Sequence, residues 1–92
     1  MYVVLVYDIS GDEKGQRALA KVFKTCKKYL THIQNSVFEG EMTEGQIAKL
    51  NAELNKFIRK DLDSVIIFKS RNEKWLDKEF WGKNDCSLSN FY

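Results

Sequence analysis

The segment Tyr2–Ile9, with the sequence YVVLVYDI, constrains the fold of this chain more than any other. Five consecutive apolar or aromatic residues, three of them β-branched valines, are followed by the aromatic Tyr7 and predict a strand that is buried on both faces. Asp8 lies at the carboxyl end of this strand, where open α/β sheets bind their ligands. Asp8 is therefore either a functional carboxylate, or else a helix-capping residue or a solvated aspartate at a strand end.

Length and composition predict one small domain. A chain of 92 residues, 43% of them hydrophobic, is expected to bury about 60–65% of its unfolded surface, so association with a second copy would stabilise it. We find no run of 18 apolar residues and no basic leader, and therefore expect a cytoplasmic protein with no membrane partner. Cys26 and Cys86 lack metal-ligand spacing, and we expect a core residue and a tail residue rather than a disulfide.

The first helix is predicted to begin near Ser10–Glu13, through a capping box or through Asp12 as the cap. Apolar residues then recur at three- and four-residue steps and predict one buried stripe, formed by Ala18, Leu19, Val22, Phe23, Cys26 and Leu30. The opposite side carries six cations and no acid: Lys14, Arg17, Lys21, Lys24, Lys27 and Lys28. Solvated faces usually mix charge signs, so this side is either a plain solvated face or a surface that contacts phosphates.

The segment Thr31–Met42 is predicted to be extended, as two short strands around a turn at Asn35 or as one bent ribbon. His32, the only histidine, shares a period-two face with polar neighbours, where it either faces water or reaches a phosphate. We favour the first alternative, in which His32 faces water. The segment thus supplies the extended structure between two helices.

A capping box formed by Thr43 and Gln46 predicts the start of the second helix. Its buried stripe comprises Ile47, Leu50, Leu54, Phe57 and Ile58, and its last turn contains Arg59 and Lys60. Asp63–Lys69 then predicts another strand. The order of elements predicts an α+β fold, a ferredoxin-like βαββαβ sandwich.

Two helices would cover one sheet face and leave the other apolar, so we expect a homodimer whose sheets face each other. The end of the chain also holds more apolar surface than a free tail would expose, in Trp75, Leu76, Phe80, Trp81, Phe91 and Tyr92. We therefore divide the single domain into a core, residues 1–70, and a C-terminal dimerisation arm, residues 71–92, that crosses to the partner.

The sequence gives little support to several kinds of catalysis. It contains no Ser-His-Asp set, no glycine-rich phosphate loop and no zinc-ligand spacing. Asp8 remains as a candidate. Mg²⁺ takes one or two protein carboxylates together with waters and substrate phosphates, so a dimer that brings two copies of Asp8 together can hold Mg²⁺ against a phosphodiester.

Three features of the sequence resemble one known family. They are the first strand ending in Asp8, the basic helix that contains Arg17, and the segment QNSVFEGE at residues 34–41, which leads into Thr43. Over residues 1–70 the chain resembles the second CRISPR-associated adaptation protein, the small partner of the spacer integrase. The resemblance implies a ferredoxin-like homodimer with Asp8 of each copy near the dimer axis.

The resemblance also implies two roles. One is a metal-dependent endonuclease that cleaves RNA or DNA, with Asp8 as catalytic residue and metal ligand. The other is a bridge that holds foreign duplex DNA against the spacer integrase. We rank the bridge first because the sequence offers more cations than carboxylates for a site, and we expect phosphate contacts from Lys14, Arg17, Lys21 and Lys24. The alternative is a ferredoxin-like regulatory module that binds a small ligand.

Overall fold

The structure, a computed structural model, describes residues 1–71, 79 and 81. Its elements are β1 (Tyr2–Asp8), α1 (Glu13–Tyr29), β2 (Thr31–Gln34), β3 (Val37–Glu41), α2 (Glu44–Leu54) and β4 (Ser64–Ser70). The four strands form one sheet in the order β2-β3-β1-β4, and every neighbouring pair is antiparallel. The predicted α+β, ferredoxin-like βαββαβ order is therefore confirmed.

Strand β1 lies inside the sheet and pairs with β3 on one side and β4 on the other. Val3, Leu5 and Tyr7 are buried among the residues of the hydrophobic core. Their alternates Val4 and Val6 are only half-buried. The prediction that this strand is buried on both faces therefore holds fully for the face that carries the core and in part for the other.

The core lies between that sheet face and the helices, and Cys26 belongs to it as a buried free thiol, as predicted. Its buried members are Val3, Leu5, Tyr7, Val22, Cys26, Leu30, Phe38, Met42, Leu50 and Leu54. Leu19 was predicted to be buried but is 43% exposed. Phe23 is only half-buried, and both side chains line a groove at the end of β1.

The segment between the helices forms two strands, β2 and β3, joined by a turn at Asn35. Asn35 has a φ of 44°, in the left-handed region that asparagine tolerates. The expectation that His32 faces water or a phosphate is wrong. Its ring is buried, packs against Phe23 and Phe38, and forms a hydrogen bond through Nε2 with the Asn35 carbonyl oxygen at 2.8 Å.

Helix α1 is capped by Asp12, whose carboxylate accepts a hydrogen bond from the Gly15 amide, and not by a Ser10 capping box. At α2 the predicted capping box is confirmed, since Thr43 and Gln46 exchange hydrogen bonds of 2.9 and 3.1 Å. Helix α2 nevertheless ends at Leu54, so its last turn holds no basic residue. The chain beyond it still packs apolar side chains against the core, from Phe57 and Ile58.

The sheet face away from the core exposes large apolar side chains on β4. Ile66 is 52% exposed and Phe68 is 56% exposed, and their strand partners on β1 are Val6 and Val4. Apart from Arg71, Glu79 and Trp81, the predicted arm lies outside the described residues. Among the residues that are described, no helix has the length and apolar character needed to cross a membrane.

Candidate functional site

Asp8 is the last residue of β1 and is exposed. Side chains alternate along a strand, so Asp8 shares the face of Val4 and Val6, away from the core. Its neighbour Tyr7 lies on the core side and is buried. The carboxylate therefore stands at the end of the sheet, on the face whose apolar side chains are exposed.

The loop that follows Asp8 is tied down by Arg59, which bridges two aspartates. Its Nη1 donates to both carboxylate oxygens of Asp12, at 2.8 and 2.9 Å. Its Nε and Nη2 donate to Asp63, each at 3.1 Å. Asp63 also accepts the backbone N–H groups of Ser10 and Arg59, at 2.9 and 3.0 Å. The loop after β1 is thereby joined to the loop before β4.

Gly15 shows how closely this loop packs. A Cβ atom at this position would lie 1.7 Å from the carbonyl oxygen of Ser10, so a side chain there would displace the backbone. The neighbouring cap is also tight, with 2.6 Å between the Gly15 nitrogen and an Asp12 oxygen. Asp8 is therefore followed by a loop whose path is fixed by backbone contacts as well as by the Arg59 bridge.

Electrostatics in this region separate structural groups from chemically available ones. The Arg59 guanidinium holds the pKa of Asp63 down to about 2 and also lowers the pKa of Asp12. Burial raises the pKa of Cys26 and of Tyr7 to about 12 in each case, so both are neutral at pH 7. Neither a thiolate nor a phenolate is therefore available as a nucleophile at these two positions.

The four cations predicted to bind nucleic acid form one row on α1, the basic stripe: Lys14, Arg17, Lys21 and Lys24. All four are exposed, and their three- and four-residue spacing places them along one side of the helix. Arg17 lies 4.0 Å from Glu13, and the Lys21 ammonium lies 5.4 Å from the centroid of the Phe57 ring. Such exposed contacts are weak, so the cations remain available to an external anion.

Lys27 and Lys28 are less available than the basic stripe. Lys28 forms an ion pair with Glu53 of α2 at 2.5 Å, and this contact raises the pKa of Lys28. Glu53 also accepts a hydrogen bond from the Tyr29 hydroxyl. The Lys27 ammonium lies 5.6 Å from the centroid of the Phe23 ring. The part of α1 that follows Lys24 is thus engaged with the rest of the protein.

The structure does not bring Asp8 together with the basic stripe. The stripe lies on the outer side of a helix that covers one sheet face, whereas Asp8 projects from the other face. Nor do three or more His, Cys, Asp or Glu side chains cluster around a common point in the described part of the chain. One chain therefore offers Mg²⁺ a single carboxylate at Asp8, which suits an ion that keeps most of its waters and also binds phosphate or a second carboxylate.

Sequence reasoning missed the bridge made by Arg59, because it assigned this residue to the last turn of α2 and Asp63 to a strand. The only local signal was the four-residue spacing between the two, which is also the spacing of an ordinary helical ion pair. Asp12 lies 47 positions away from Arg59, and no sequence pattern connects them.

Comparison with known proteins identifies a family. The model of CRISPR associated protein Cas2 matches residues 1–78. A CRISPR-associated endoribonuclease Cas2 from Fusobacterium nucleatum subsp. nucleatum is 60% identical over 91 residues, which cover 99% of this chain and 86% of the relative. A CRISPR-associated endoribonuclease Cas2 2 from Moorella thermoacetica is 41% identical over 90 residues, which cover 97% of this chain and 99% of the relative. A crystal structure of Streptococcus pyogenes Cas2 at pH 6.5 superposes with a TM-score of 0.74 at 26% identity, covering 87% of this chain and 100% of that one.

The Arg59 bridge predicts how stability depends on pH. The pKa of Asp63 is about 2 in the folded protein and about 3.9 in an unfolded chain. Its contribution to the free energy of unfolding is therefore present above about pH 4 and is lost as the pH falls towards about 2. Asp63→Asn should lower the free energy of unfolding by about 1–3 kcal/mol at neutral pH, because it removes a buried charged acceptor. The variant should also lose less stability than the wild type between about pH 5 and about pH 2.

Denaturant unfolding at several pH values measures both effects. Asp61→Asn is the matched control, since Asp61 is an exposed carboxylate in the same loop and forms no hydrogen bond or ion pair within the described residues. Equal pH dependence in the wild type and in Asp63→Asn would contradict the stabilising role assigned to this carboxylate.

Proposed function

Because this chain belongs to the family of CRISPR-associated protein Cas2, we propose that it acts in CRISPR adaptation as a homodimer that binds duplex DNA and bridges it to the spacer integrase. The observation that carries the proposal is the basic stripe, Lys14, Arg17, Lys21 and Lys24, which is exposed and free of strong ion pairs within the described residues. Such a surface binds nucleic acid through its phosphates and releases counterions in doing so.

The geometry of the stripe suits a regular backbone. Lys14 and Lys24 are separated by ten positions, or about 15 Å along the helix axis, a length that spans several phosphates of a duplex. Contacts from lysine and arginine to phosphates carry no information about base sequence, so binding of this kind would show little sequence preference. Foreign DNA of any sequence would then be an acceptable ligand, as a role in adaptation requires.

The homodimer is supported by the exposed apolar side chains on the sheet face away from the core. Ile66 and Phe68 on β4 lie beside Val6 and Val4 on β1, which makes a continuous apolar surface. A surface of this kind on a small domain is typical of a protein interface. Sheets that pack face to face would bury it, and they would bring the two copies of Asp8 to the same interface.

A second function, metal-dependent endonuclease activity, is favoured by the exposed carboxylate at the fixed end of β1. Relatives are named endoribonucleases, and we propose that Asp8 from each subunit holds Mg²⁺ near a phosphodiester of RNA or DNA. When bound, Mg²⁺ would activate a water and stabilise negative charge on the phosphate. A role as a small-ligand regulatory module is less well supported, because such a role does not explain why the basic stripe carries only positive charges.

Changing Ile66 to Lys tests the homodimer. A cation on the apolar sheet face should leave each subunit folded and prevent the sheets from packing, because burying an unpaired ammonium is costly. Leu62→Lys is the matched control, since Leu62 is equally exposed, at 52%, but lies outside the strands. We expect sedimentation equilibrium to show a dimer for the wild type and the control and a monomer for Ile66→Lys. A dimer of unchanged affinity in Ile66→Lys would refute this interface.

Reversing the charges of Lys21 and Lys24 to Glu tests the DNA-binding role of the stripe. Each lost phosphate contact should reduce the slope of log K against log salt concentration by about 0.9 for duplex DNA. The double variant Lys49→Glu, Lys60→Glu has the same net charge but changes cations outside the stripe, and it should keep most of the wild-type slope. Unchanged affinity and slope in the stripe variant would mean that this side of α1 is only a solvated face.

Changing Asp8 to Asn separates the two functions. The substitution keeps the size of the side chain and removes its charge, so Mg²⁺-dependent cleavage should fall by several orders of magnitude. Folding, dimerisation and duplex binding should remain close to wild type, because the stripe cations supply the affinity for DNA. Cleavage of labelled RNA and DNA, gel-shift titration and a spacer-integration assay with the integrase measure these outcomes, with Asp61→Asn as the control. Loss of integration by a folded Asp8→Asn dimer would reverse our ranking of the two roles.

A further inference from the structure

We propose that a groove beside Asp8 binds one unpaired nucleobase of a nucleic-acid strand, an inference that rests on the nucleic-acid function proposed above. The groove has a volume of about 670 Å³ and lies at the end of the sheet, between α1 and the turn that joins β2 to β3. The residues that define it are Asp8, Gln16, Leu19, Phe23, Asn35 and Ser36. It is thus bordered by the end of β1, at Asp8, and by a side of α1 that is different from the basic stripe.

The helical wall of the groove is apolar and accessible. Gln16, Leu19 and Phe23 recur at three- and four-residue steps, so they lie along one side of α1. Leu19 is 43% exposed, and it belongs neither to the buried core nor to the exposed sheet face. Its side chain would therefore stay accessible in a homodimer formed through the sheets.

The opposite wall is held in place by contacts behind it. The carbonyl oxygen of Asn35 is bonded by the buried His32 ring at 2.8 Å, and the carbonyl oxygen of Ser36 accepts the backbone N–H of Tyr7 at 3.2 Å. His32 in turn packs edge-on against Phe23, with 4.8 Å between the ring centroids. Both walls are thus joined to each other and to β1, which makes the groove a preformed feature.

The chemistry of the walls fits a nucleobase better than a phosphate. Gln16 and Asn35 each carry an amide that can donate and accept hydrogen bonds, and neither side chain is bonded to another described residue. These amides flank the apolar surface of Leu19 and Phe23, which matches a flat ring with polar edges. None of the described residues that line the groove is lysine or arginine, and the Lys27 ammonium lies beside the groove, 5.6 Å from the centroid of the Phe23 ring, rather than in its lining.

The position of the groove indicates which strands it can accept. Bases inside a duplex have paired edges and stacked faces, so only an unpaired or extruded base can enter. A base in the groove would place the backbone of its strand beside the end of β1, at Asp8.

Titration with nucleosides tests the groove without any phosphate contribution. Isotope-labelled protein is titrated with uridine and with adenosine while its amide resonances are followed. We expect shifts for Gln16, Leu19 and Asn35. The double variant Gln16→Ala, Leu19→Ala, the groove variant, should bind both nucleosides at least tenfold more weakly. The control variant Asn51→Ala, Leu62→Ala also removes one side-chain amide and one leucine, at exposed positions elsewhere, and should behave as the wild type. Absence of shifts, shifts confined to another surface, or equal shifts in the groove variant would overturn the proposal.

Binding of oligonucleotides separates this inference from the proposed function. The groove variant removes one amide and the apolar contact of Leu19, so it should bind single-stranded RNA about tenfold more weakly and bind duplex DNA as the wild type does. An equal loss for both ligands would overturn the groove proposal. If the wild type shows no salt-dependent duplex binding, the proposed bridge fails, and the nucleoside titration still decides whether the groove binds bases. The single variant Gln16→Ala, at an exposed helix position, serves if the double variant is poorly folded.

Discussion

The pairing of β1 with a strand on each side is the constraint on which the rest of this structure depends. Strand β1 is paired with both β3 and β4, so it lies inside the sheet. Its side chains alternate between the two sheet faces and contribute to both. One face receives Leu5 and the core beneath the helices, and the other carries Val4 and Val6 into a half-exposed apolar surface. The same alternation ends with Asp8 on the second face. A single strand thus sets the core, the surface available to a second subunit and the place of the carboxylate.

Arg59 fixes the loops at the end of the sheet. It joins the cap of α1 to the loop before β4 through Asp12 and the fully buried side chain of Asp63. The charge on Arg59 compensates two carboxylates, which lowers the pKa of both. Residues about 50 positions beyond β1 therefore fix the backbone that follows Asp8. The surroundings of the candidate site are a property of the whole domain rather than of one motif.

Much of the fold could be predicted because its signals are local. Helical and strand periods gave the order of elements, and the Thr43 capping box marked the start of α2 correctly. Periodicity identifies the residues that share one face of a helix or strand, but not which part of the protein that face contacts. Leu19 was therefore placed in the core and His32 in water. The cations of α1 could be recognised as one surface. Their separation from Asp8 could not, because it depends on how the helices cover the sheet.

The alternation along β1 has a further consequence for how the chain finds its pairing. Val3 and Leu5 on one side and Val4 and Val6 on the other are so similar that valine and leucine alone specify the register of this strand weakly. A slip by one residue would move Asp8 to the core side and Tyr7 to the opposite side. Burying a carboxylate without a partner is far more costly than exchanging one aliphatic side chain for another. Asp8 therefore also disfavours misregistered strand pairing during folding, whatever ligand the mature protein binds.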